Sequence, residues 1–289
     1  LPLSMGGYTI NKNIGEMVNK GWEIQLTGDI IRKAGFNWRM DLNFSTLKNE
    51  ITKMPDNQPE IISGTKKLAV GRSIYDYWLR DWQGVDPTDG AALYRATSFV
   101  ASNSRVRGKD DTVTVSQNNA MYVYAGSAIP KFWGSIGNTF TYKAFEISAL
   151  LTYQVGGKVY DATYAALMHT GTYGTALHVD ALKAWQKPGD ITNVPRMDNS
   201  KGGVFDAQST RWLIDASYLN IRNVSLAYSL PSSLMSKISS AGARVFVSGE
   251  NLYWFSKRKG MNVQQSFTGV TSNAYVPARV VTFGLNVNF

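Results

Sequence analysis

The end of the chain, Arg279-Val-Val-Thr-Phe-Gly-Leu-Asn-Val-Asn-Phe289, is the segment most informative about the fold. Its apolar residues share one parity, and they are Val281, Phe283, Leu285, Val287 and Phe289. Small or polar residues fill the other parity, and a period of two is typical of a β-strand with one apolar and one polar face. Five apolar residues spaced two apart cover roughly 27 Å, about the height of the apolar band of an outer-membrane barrel. The stretch therefore predicts the closing strand of such a barrel, and the last strand of a soluble β-sandwich is the alternative.

A final strand of this kind, with a terminal aromatic residue, looks like the assembly signal of a bacterial outer-membrane protein. We expect that signal to consist of Val281, Phe283, Leu285, Val287 and Phe289, facing lipid. The expected location of the protein is accordingly the bacterial outer membrane.

The composition excludes several classes of protein. The 289 residues include no cysteine, which removes disulfides and thiolate metal sites. No run approaches the ~18 consecutive apolar residues that a membrane-spanning helix requires, whereas a barrel strand needs only alternate apolar residues. No signal peptide precedes Leu1, so we expect the sequence to be a processed piece or a fragment.

The formal net charge of +9 would suit a nucleic-acid-binding protein. The dense basic cluster Lys257-Arg258-Lys259 lies in no recognisable nucleic-acid motif, so we expect no nucleic-acid partner. A basic surface facing lipopolysaccharide and outer-membrane lipid explains the charge balance equally well. An ordinary solvated loop explains the cluster itself.

Three hairpins repeat the alternation of the terminal strand. The first has a turn at 33–35, the second has a turn at 142–144, and the third joins 224–230 to 243–247 through residues 231–242. The apolar face of the first hairpin begins with Trp22, Ile24, Leu26 and Ile30. A further strand near 74–82 is less regular.

Long polar stretches alternate with short turns along the chain. The long stretches are 49–70, 98–129, 158–210 and 256–276, and the short turns are 33–35, 86–90, 142–144 and 231–242. Counting back from residue 289 gives about nine strands, with every short turn on the periplasmic side, as outer-membrane barrels require. We therefore predict an all-β chain: the C-terminal portion, about nine antiparallel strands, of a large transmembrane β-barrel with long extracellular loops and short periplasmic turns. The stretch 158–210 is too long for plain coil, so we expect a short helix over 176–185 outside the membrane.

Six segments resemble one known family in their order and spacing. They are Asn19-Lys-Gly-Trp-Glu-Ile, Gly84-Val-Asp-Pro-Thr-Asp-Gly90, Gly126-Ser-Ala-Ile-Pro-Lys-Phe-Trp-Gly134, Trp185-Gln-Lys-Pro-Gly-Asp-Ile-Thr-Asn-Val-Pro-Arg196, Ser217-Tyr-Leu-Asn-Ile-Arg-Asn-Val-Ser-Leu-Ala-Tyr-Ser-Leu-Pro231 and Ser248-Gly-Glu-Asn-Leu252. Each segment alone is weakly specific. Together they resemble the carboxy-terminal part of SusC/RagA-type TonB-dependent transporters of Bacteroidetes, over nearly all 289 residues.

The resemblance implies a fold, an activity and partners. Members of the family form a large plugged barrel of about 22 strands. They pair with a SusD-like surface lipoprotein and import glycans or oligopeptides with energy relayed by the TonB complex. We expect residues 1–289 to be one C-terminal barrel segment, from which the plug domain, the TonB-contacting part and the earlier strands are missing. Such a segment needs the remainder of its own barrel and plug as a partner, because an open edge in lipid leaves backbone groups unpaired.

The sequence shows no enzyme motif, and we expect neither catalysis, a cofactor nor a metal site. The two histidines, His169 and His178, both lie in the 158–210 stretch, without an HExxH or Gly-x-Ser-x-Gly context. A pair of solvated loop histidines is the expected explanation.

Two groups of residues are candidates for contact with cargo or with other parts of the transporter. Loop aromatic residues could stack on sugars or contact a lid protein, although packing within the loop is equally compatible, and they are Tyr160, Tyr164, Tyr173 and Trp185. Polar residues of the strands are expected to face the barrel lumen, and they are Glu23, Asp29, Arg39, Asp41, Arg244 and Glu250. The alternatives to an active importer are a passive porin or structural barrel, and a soluble β-sandwich binding module.

Overall fold

Seven long strands form one antiparallel sheet in which strands adjacent in sequence are adjacent in space. The structure, a computed structural model, describes residues 15–108, 111–171, 173–235, 241–258, 263, 268–272 and 274–288. The strands of this sheet, here called the wall, are β1 Glu23–Lys33, β2 Phe36–Ser45, β3 Phe132–Tyr142, β4 Phe145–Val155, β5 Tyr218–Ser229, β6 Gly242–Ser256 and β7 Val280–Asn288. They have between 9 and 15 residues, and a strand needs about 9–11 to cross a bilayer.

The register of the wall places apolar residues opposite apolar residues. Trp38 of β2 pairs with Phe140 of β3, and their rings stack with centroids 5.6 Å apart. Leu226 of β5 lies between Ile147 of β4 and Val247 of β6. Because side chains alternate along a strand, this register gathers one apolar face and one polar face over the whole sheet.

A β-bulge in β1 adds one detail to the sequence analysis. The register shifts between Asp29 and Ile31, so that Ile31 lies opposite Trp38 and Ile30 is the extra residue of the bulge. An extra residue in one strand of a pair changes the parity of every residue after it.

The connections differ in length on the two edges of the wall. Short connections at 34–35, 143–144 and 230–241 join β1 to β2, β3 to β4 and β5 to β6. Gly35 at φ +81° and Lys143 at φ +53° allow the first two to be tight. Three long loops join the remaining pairs at the opposite edge, and we call 46–131 the first long loop, 156–217 the second and 257–279 the third.

The long loops contain short strands of their own. One four-stranded sheet comprises Tyr122–Ser127, Asp76–Arg80, Lys66–Ala69 and Glu60–Ser63, and a second comprises Ser104–Gly108, Asp111–Thr114, Ala92–Arg95 and Trp82–Val85. Two-stranded sheets pair Glu16–Lys20, which precedes β1, with Lys48–Lys53 of the first long loop, and Lys158–Tyr160 with Leu213–Asp215 of the second. Helical segments are short: α1 Ala162–Leu167, α2 Gly202–Phe205 and α3 Ser232–Met235, with 3₁₀ turns at Val179–Lys183, Asn199–Lys201 and Thr210–Trp212. The helix predicted over 176–185 is thus confirmed as a 3₁₀ turn within that range.

Two elements that the sequence analysis assigned to the barrel, the strand near 74–82 and the turn at 86–90, belong to short strands of the first long loop. The irregular strand near 74–82 exists as Asp76–Arg80, but it belongs to a sheet of the first long loop. The turn at 86–90 joins Trp82–Val85 to Ala92–Arg95 in that same loop, so it does not lie at the short-turn edge of the wall. Strands this short cannot cross a bilayer, and the wall of the described residues accordingly has seven strands.

The main buried cluster lies among the loops and not within the wall. Its members are Tyr77, Leu79, Tyr160, Met168, Ala184, Val194, Phe205 and Trp212. These residues come from the first and second long loops, which therefore form a packed layer, here called the loop layer, at one edge of the wall.

Candidate functional site: a two-faced wall beneath a loop layer

One face of the wall exposes a continuous set of apolar side chains. The exposed members include Ile24, Leu26, Phe145, Ile147, Leu226, Val245, Tyr253, Phe255, Val281, Phe283 and Leu285. Soluble proteins rarely expose apolar patches larger than a few hundred Å². An exposed apolar face on strands that span the bilayer thickness is what lipid requires of a barrel.

The terminal strand has the greatest exposure of this face. Phe283 is 80% exposed and Leu285 is 60% exposed, and both point away from Thr282 and Asn286 on the polar face. Val281 and Val287 share the apolar parity, and Phe289 lies outside the described residues. The role of these residues in assembly stays a prediction.

A hydrogen bond between two side chains also lies on the apolar face of the wall. Asn138 of β3 lies opposite Met40 and Ala149, so its side chain shares the apolar face. The indole N–H of Trp38 donates to the Asn138 Oδ1 at 3.0 Å. Since lipid offers no hydrogen-bonding partner, this bond satisfies the Trp38 donor and one acceptor of the amide.

The six residues predicted to face the lumen all lie on the polar face of the wall. Glu23, Asp29, Arg39 and Asp41 share the inner parity of β1 and β2, and Arg244 and Glu250 share that of β6. Thr27 donates to Asp41 at 2.7 Å, and Arg39 lies 3.9 Å from Asp41. The structure brings the β1 and β2 residues together but leaves them apart from the β6 pair. Their contact with cargo or with the plug stays a prediction.

Glu146 is a member of the polar face that the sequence analysis missed. Its carboxylate accepts a hydrogen bond from Arg244 at 2.6 Å across the intervening strand β5. The signal was present, because Glu146 alternates with the apolar residues Phe145 and Ile147 of β4.

A cavity of about 520 Å³ opens where the polar face meets the loop layer. Trp133 and Gln154, paired across β3 and β4, form its wall side. Leu47, Tyr75 and Lys158 are among the loop residues that complete it. Its volume lies within the range of about 300–1,000 Å³ that is typical of ligand pockets.

Two of the four predicted contact aromatics are buried in the loop layer. Tyr160 is 6% exposed within the main cluster, and Trp185 is 8% exposed. The Trp185 indole donates to the Pro87 carbonyl at 3.1 Å and lies against Gly90, where an added Cβ would come 2.5 Å from the ring. For these two residues the structure shows packing within the loop layer, the alternative given above, and neither ring offers a face for stacking.

Tyr164 and Tyr173 remain accessible to different extents. Tyr164 donates to the Asp180 carboxylate at 3.0 Å, and its half-buried ring lies 4.0 Å below the Arg258 guanidinium. Burial raises the pKa of the Tyr164 hydroxyl, and the nearby Asp180 adds to that effect. Tyr173 is fully exposed. Contact of Tyr164 and Tyr173 with cargo or a lid protein stays a prediction.

The segments 84–90 and 185–196 contact each other although they belong to different long loops. Arg105 binds Asp89 through two hydrogen bonds of 3.0 and 2.7 Å and also contacts Asp86. These hydrogen bonds from Arg105 hold the pKa of Asp89 below its ordinary value. The contacts of Arg105 with Asp86 and Asp89 fix the turn on which Trp185 packs. The first and second long loops therefore form one structural unit.

Asp161 ties the second long loop to the third. Its carboxylate is 2% exposed, caps α1 through the Tyr164 N–H at 3.1 Å and lies 2.5 Å from Arg258. Neither Asp161 Oδ2 nor Arg258 Nε, the two atoms of that contact, forms a hydrogen bond, so the interaction is chiefly an ion pair. Tyr77 of the first loop donates to the Gly269 carbonyl of the third at 2.6 Å. All three long loops therefore meet around Tyr77 and Asp161.

Other kinds of site receive no support from the residues that the structure describes. His169 and His178 each accept a backbone N–H of their own loop at 3.1 Å. Across the described ranges, no three His, Asp or Glu side chains come close enough to hold a metal ion. Within those ranges, too, no helix has both the length and the hydrophobicity needed to cross a membrane.

The fold and the two-faced wall define an outer-membrane β-barrel segment, and relatives with this organisation are known. No protein-family model matches the chain. The chain is 27% identical over its whole length to TonB-dependent receptor P3 of Formosa agariphila, of which it covers 30%. It is 25% identical to TonB-dependent receptor P26 of the same organism, of which it covers 31%, and 23% identical over 97% of its length to TonB-dependent receptor SusC of Bacteroides thetaiotaomicron, of which it covers 27%.

Solved structures support the same fold. The chain superposes over its full length on part of the RagAB peptide transporter with a TM-score of 0.81 at 22% identity, covering 31% of that chain. The RagAB peptide importer in the 'closed-closed' state gives a TM-score of 0.83 at 22% identity. The chain thus spans about three tenths of the length of the relatives that it matches. It is similar over its whole length to TonB-dependent receptors, SusC among them, and its fold is that of part of the RagAB transporter, so it is a segment of a bacterial outer-membrane β-barrel.

Proposed function

We propose that this chain is the C-terminal part of an active importer that takes up glycans or oligopeptides across the outer membrane. The observation that carries the proposal is the two-faced wall, apolar toward lipid and polar on the other side, with a cavity of about 520 Å³ beneath the loop layer. Relatives named as TonB-dependent receptors support transport over catalysis.

The proposed partners follow from the wall and from the relatives. The sheet is open at β1 and β7, and unpaired backbone groups in lipid cost several kcal/mol each, so the wall needs the remainder of its barrel. Likeness to TonB-dependent receptors supports a plug inside that barrel. Likeness to SusC and to the RagAB transporter supports a SusD-like surface lipoprotein over the loop layer. Energy would come from the TonB complex through a part of the parent protein outside this chain.

A growth experiment on the full-length parent protein tests the proposal. An in-frame deletion of its gene should abolish growth on at least one glycan or peptide as sole nutrient, and the intact gene should restore growth. The same deletion in a strain lacking TonB should add no further defect, because both changes block one energised step. Unchanged growth across glycan and peptide diets would contradict the proposal. Uptake that depends on the gene but persists without TonB would indicate a passive porin instead.

The cavity supplies a more local test. Replacing Trp133 with alanine removes a large side chain from the cavity wall while leaving its strand pairing to Ser45 and Gln154 intact. Uptake should fall while surface expression is unchanged. Equivalent replacement of Trp22, which is exposed on the lipid side, serves as the matched control and should leave uptake unaltered.

A further inference from the structure

One sheet of the first long loop has two very different faces. Its strands Asp76–Arg80 and Tyr122–Ser127 pair so that Trp78 lies opposite Tyr124, and Arg80 lies opposite Tyr122. Tyr77 and Leu79 point to the other side, where both are fully buried in the main cluster. The face that carries Trp78 is therefore the one turned away from the core.

Three aromatic rings lie along that face, with an arginine at each end. The Arg72 guanidinium lies 4.0 Å from the Tyr124 ring, and the Arg80 guanidinium lies 4.8 Å from the Tyr122 ring. Trp78 lies between the tyrosines, with ring centroids 4.7 Å from Tyr124 and 6.0 Å from Tyr122. We call Arg72, Tyr124, Trp78, Tyr122 and Arg80 the cation–aromatic ladder. Lys67 also lies 4.4 Å from the Trp78 ring.

The two arginines of the ladder lack the acidic partners that most loop arginines have. Arg95, Arg105, Arg107, Arg196 and Arg258 each form an ion pair within the loops. Among the described residues no carboxylate pairs with Arg72 or Arg80, whereas Lys67 is paired with Glu60 at 2.5 Å. Arg80 uses only its Nε, which donates to the Gln117 carbonyl at 3.0 Å.

A guanidinium stacked on a ring is held in position for an anion. The ring occupies the flat face of the group, so the N–H donors in its plane stay directed outward. Those donors match a carboxylate or a sulfate, which accept two parallel hydrogen bonds. Each end of the ladder thus presents one positioned receptor for an anionic group.

We propose that the cation–aromatic ladder binds an acidic glycan, one that carries carboxylate or sulfate groups on successive sugar units. An extended ligand that reaches both arginines must cross the three aromatic rings that lie between them. The proposal rests on the proposed import function, because it names the class of cargo that this loop sheet selects. A neutral glycan would leave both arginines without an anionic partner.

The experiment measures binding of defined ligands to the purified full-length transporter in detergent. The acidic ligand is an oligogalacturonate of fixed length, and its matched control is the same oligosaccharide with the carboxylates reduced to hydroxymethyl groups. The oligogalacturonate should bind at least about 10-fold more tightly, because hydrogen bonds to charged groups contribute this much or more. Its affinity should fall as salt rises, since exposed charges are screened.

Variants assign the binding to the ladder. Arg72→Gln and Arg80→Gln should each lower the affinity for oligogalacturonate about 10-fold and leave the affinity for the reduced oligosaccharide unchanged. Arg107→Gln is the matched control, because Arg107 is an exposed loop arginine already paired with Asp111 at 3.0 Å. It should bind like the wild type. Heat-modifiable migration of each variant on gels confirms that the barrel is intact.

Several outcomes would overturn the inference. Equal binding of the acidic and the reduced oligosaccharide by the wild-type protein would do so without any variant. Equal losses in Arg107→Gln would show that overall charge, and not the ladder, attracts the ligand. Hexaglutamate or lipopolysaccharide core binding with the same dependence on Arg72 and Arg80 would identify a peptide or an envelope lipid as the ligand. The import function would survive each of these results if gene-dependent, TonB-dependent uptake of another nutrient persisted.

Discussion

Replacing Asp161 with asparagine should loosen the loop layer without opening the wall. Asp161 is almost fully buried, caps α1 and forms an ion pair with Arg258 of the third long loop at 2.5 Å. Thr271, also of the third loop, lies 3.4 Å from the same carboxylate. The amide of asparagine keeps the shape and one acceptor oxygen but loses the charge that Arg258 requires. The second and third loops should therefore separate more often.

The size of this effect follows from the exposure of the two partners. Breaking a fully buried ion pair by removing one partner costs about 3–5 kcal/mol. The Arg258 side chain is 30% exposed and can turn toward water, so we expect about 2 kcal/mol, below that range. A change of about 2 kcal/mol raises the population of the opened loop layer roughly 30-fold.

The assay is limited proteolysis of whole cells that display the full-length parent protein. Where opening is fast relative to cleavage, the cleavage rate follows the opened population, so Asp161→Asn should be cut roughly 30-fold faster within the loops. Asp190→Asn is the control, because Asp190 is an acid of the same loop whose carboxylate accepts hydrogen bonds from the neighbouring N–H groups of Gln186 and Lys187 and, among the described residues, bridges to no other loop. Heat-modifiable migration should be unchanged in both variants. A wild-type cleavage rate in Asp161→Asn, or an equal acceleration in Asp190→Asn, would refute the reasoning.

Three further predictions concern the wall and the first long loop. Gly284→Ala should reduce assembly, because the added Cβ would lie 2.2 Å from the Phe246 ring of β6. On heat-modifiability gels, the double variant Gly284→Ala with Phe246→Leu should show more assembled barrel than Gly284→Ala alone. Trp38→Phe should destabilise the wall by about 1–3 kcal/mol, because it leaves the Asn138 side chain without its hydrogen-bond donor in lipid. In urea titrations of the folded barrel, the double variant Trp38→Phe with Asn138→Leu should recover most of that loss. Burial lowers the pKa of Lys66 from 10.5 to about 7, so the unfolded loop holds more protons than the folded loop between those pH values, and stability rises with pH across that window. The protease resistance of the first loop should accordingly increase from pH 7 to 9, and Lys66→Met should remove the increase.

The wall was predictable from the sequence because its determinants are local. The alternation of β7 is complete within nine residues, and the turns beside Gly35 and Lys143 are fixed by neighbouring residues. A strand that faces lipid on one side and water on the other must show this period in its own sequence. The bulge at Ile31 was the exception, because a shift of register depends on the partner strand.

The loop layer could not be predicted because its contacts join residues far apart in the chain. Tyr77 donates to Gly269, 192 residues away, and Trp185 donates to Pro87, 98 residues away. Neither contact leaves a periodic pattern in the sequence. Trp185 therefore resembled an exposed stacking residue, although its ring fills the space beside Gly90.

The cation–aromatic ladder was missed for a related reason. Trp78 and Arg80 share one parity of a short strand, and Tyr122 and Tyr124 share one parity of another. The spacing of the residues on each strand was visible in the sequence. The hydrogen bonding between the two strands, which brings the four side chains together, was not.

Fluorescence quenching along β7 can show whether alternate residues of the wall face hydrocarbon. Single cysteines at positions 282, 283, 285 and 286 of the full-length protein are labelled with an environment-sensitive dye, and each protein is reconstituted in vesicles containing brominated lipid. We expect strong quenching at Phe283→Cys and Leu285→Cys and weak quenching at Thr282→Cys and Asn286→Cys. Equal quenching at all four positions, or none at any of them, would mean that the strand does not have one face in lipid.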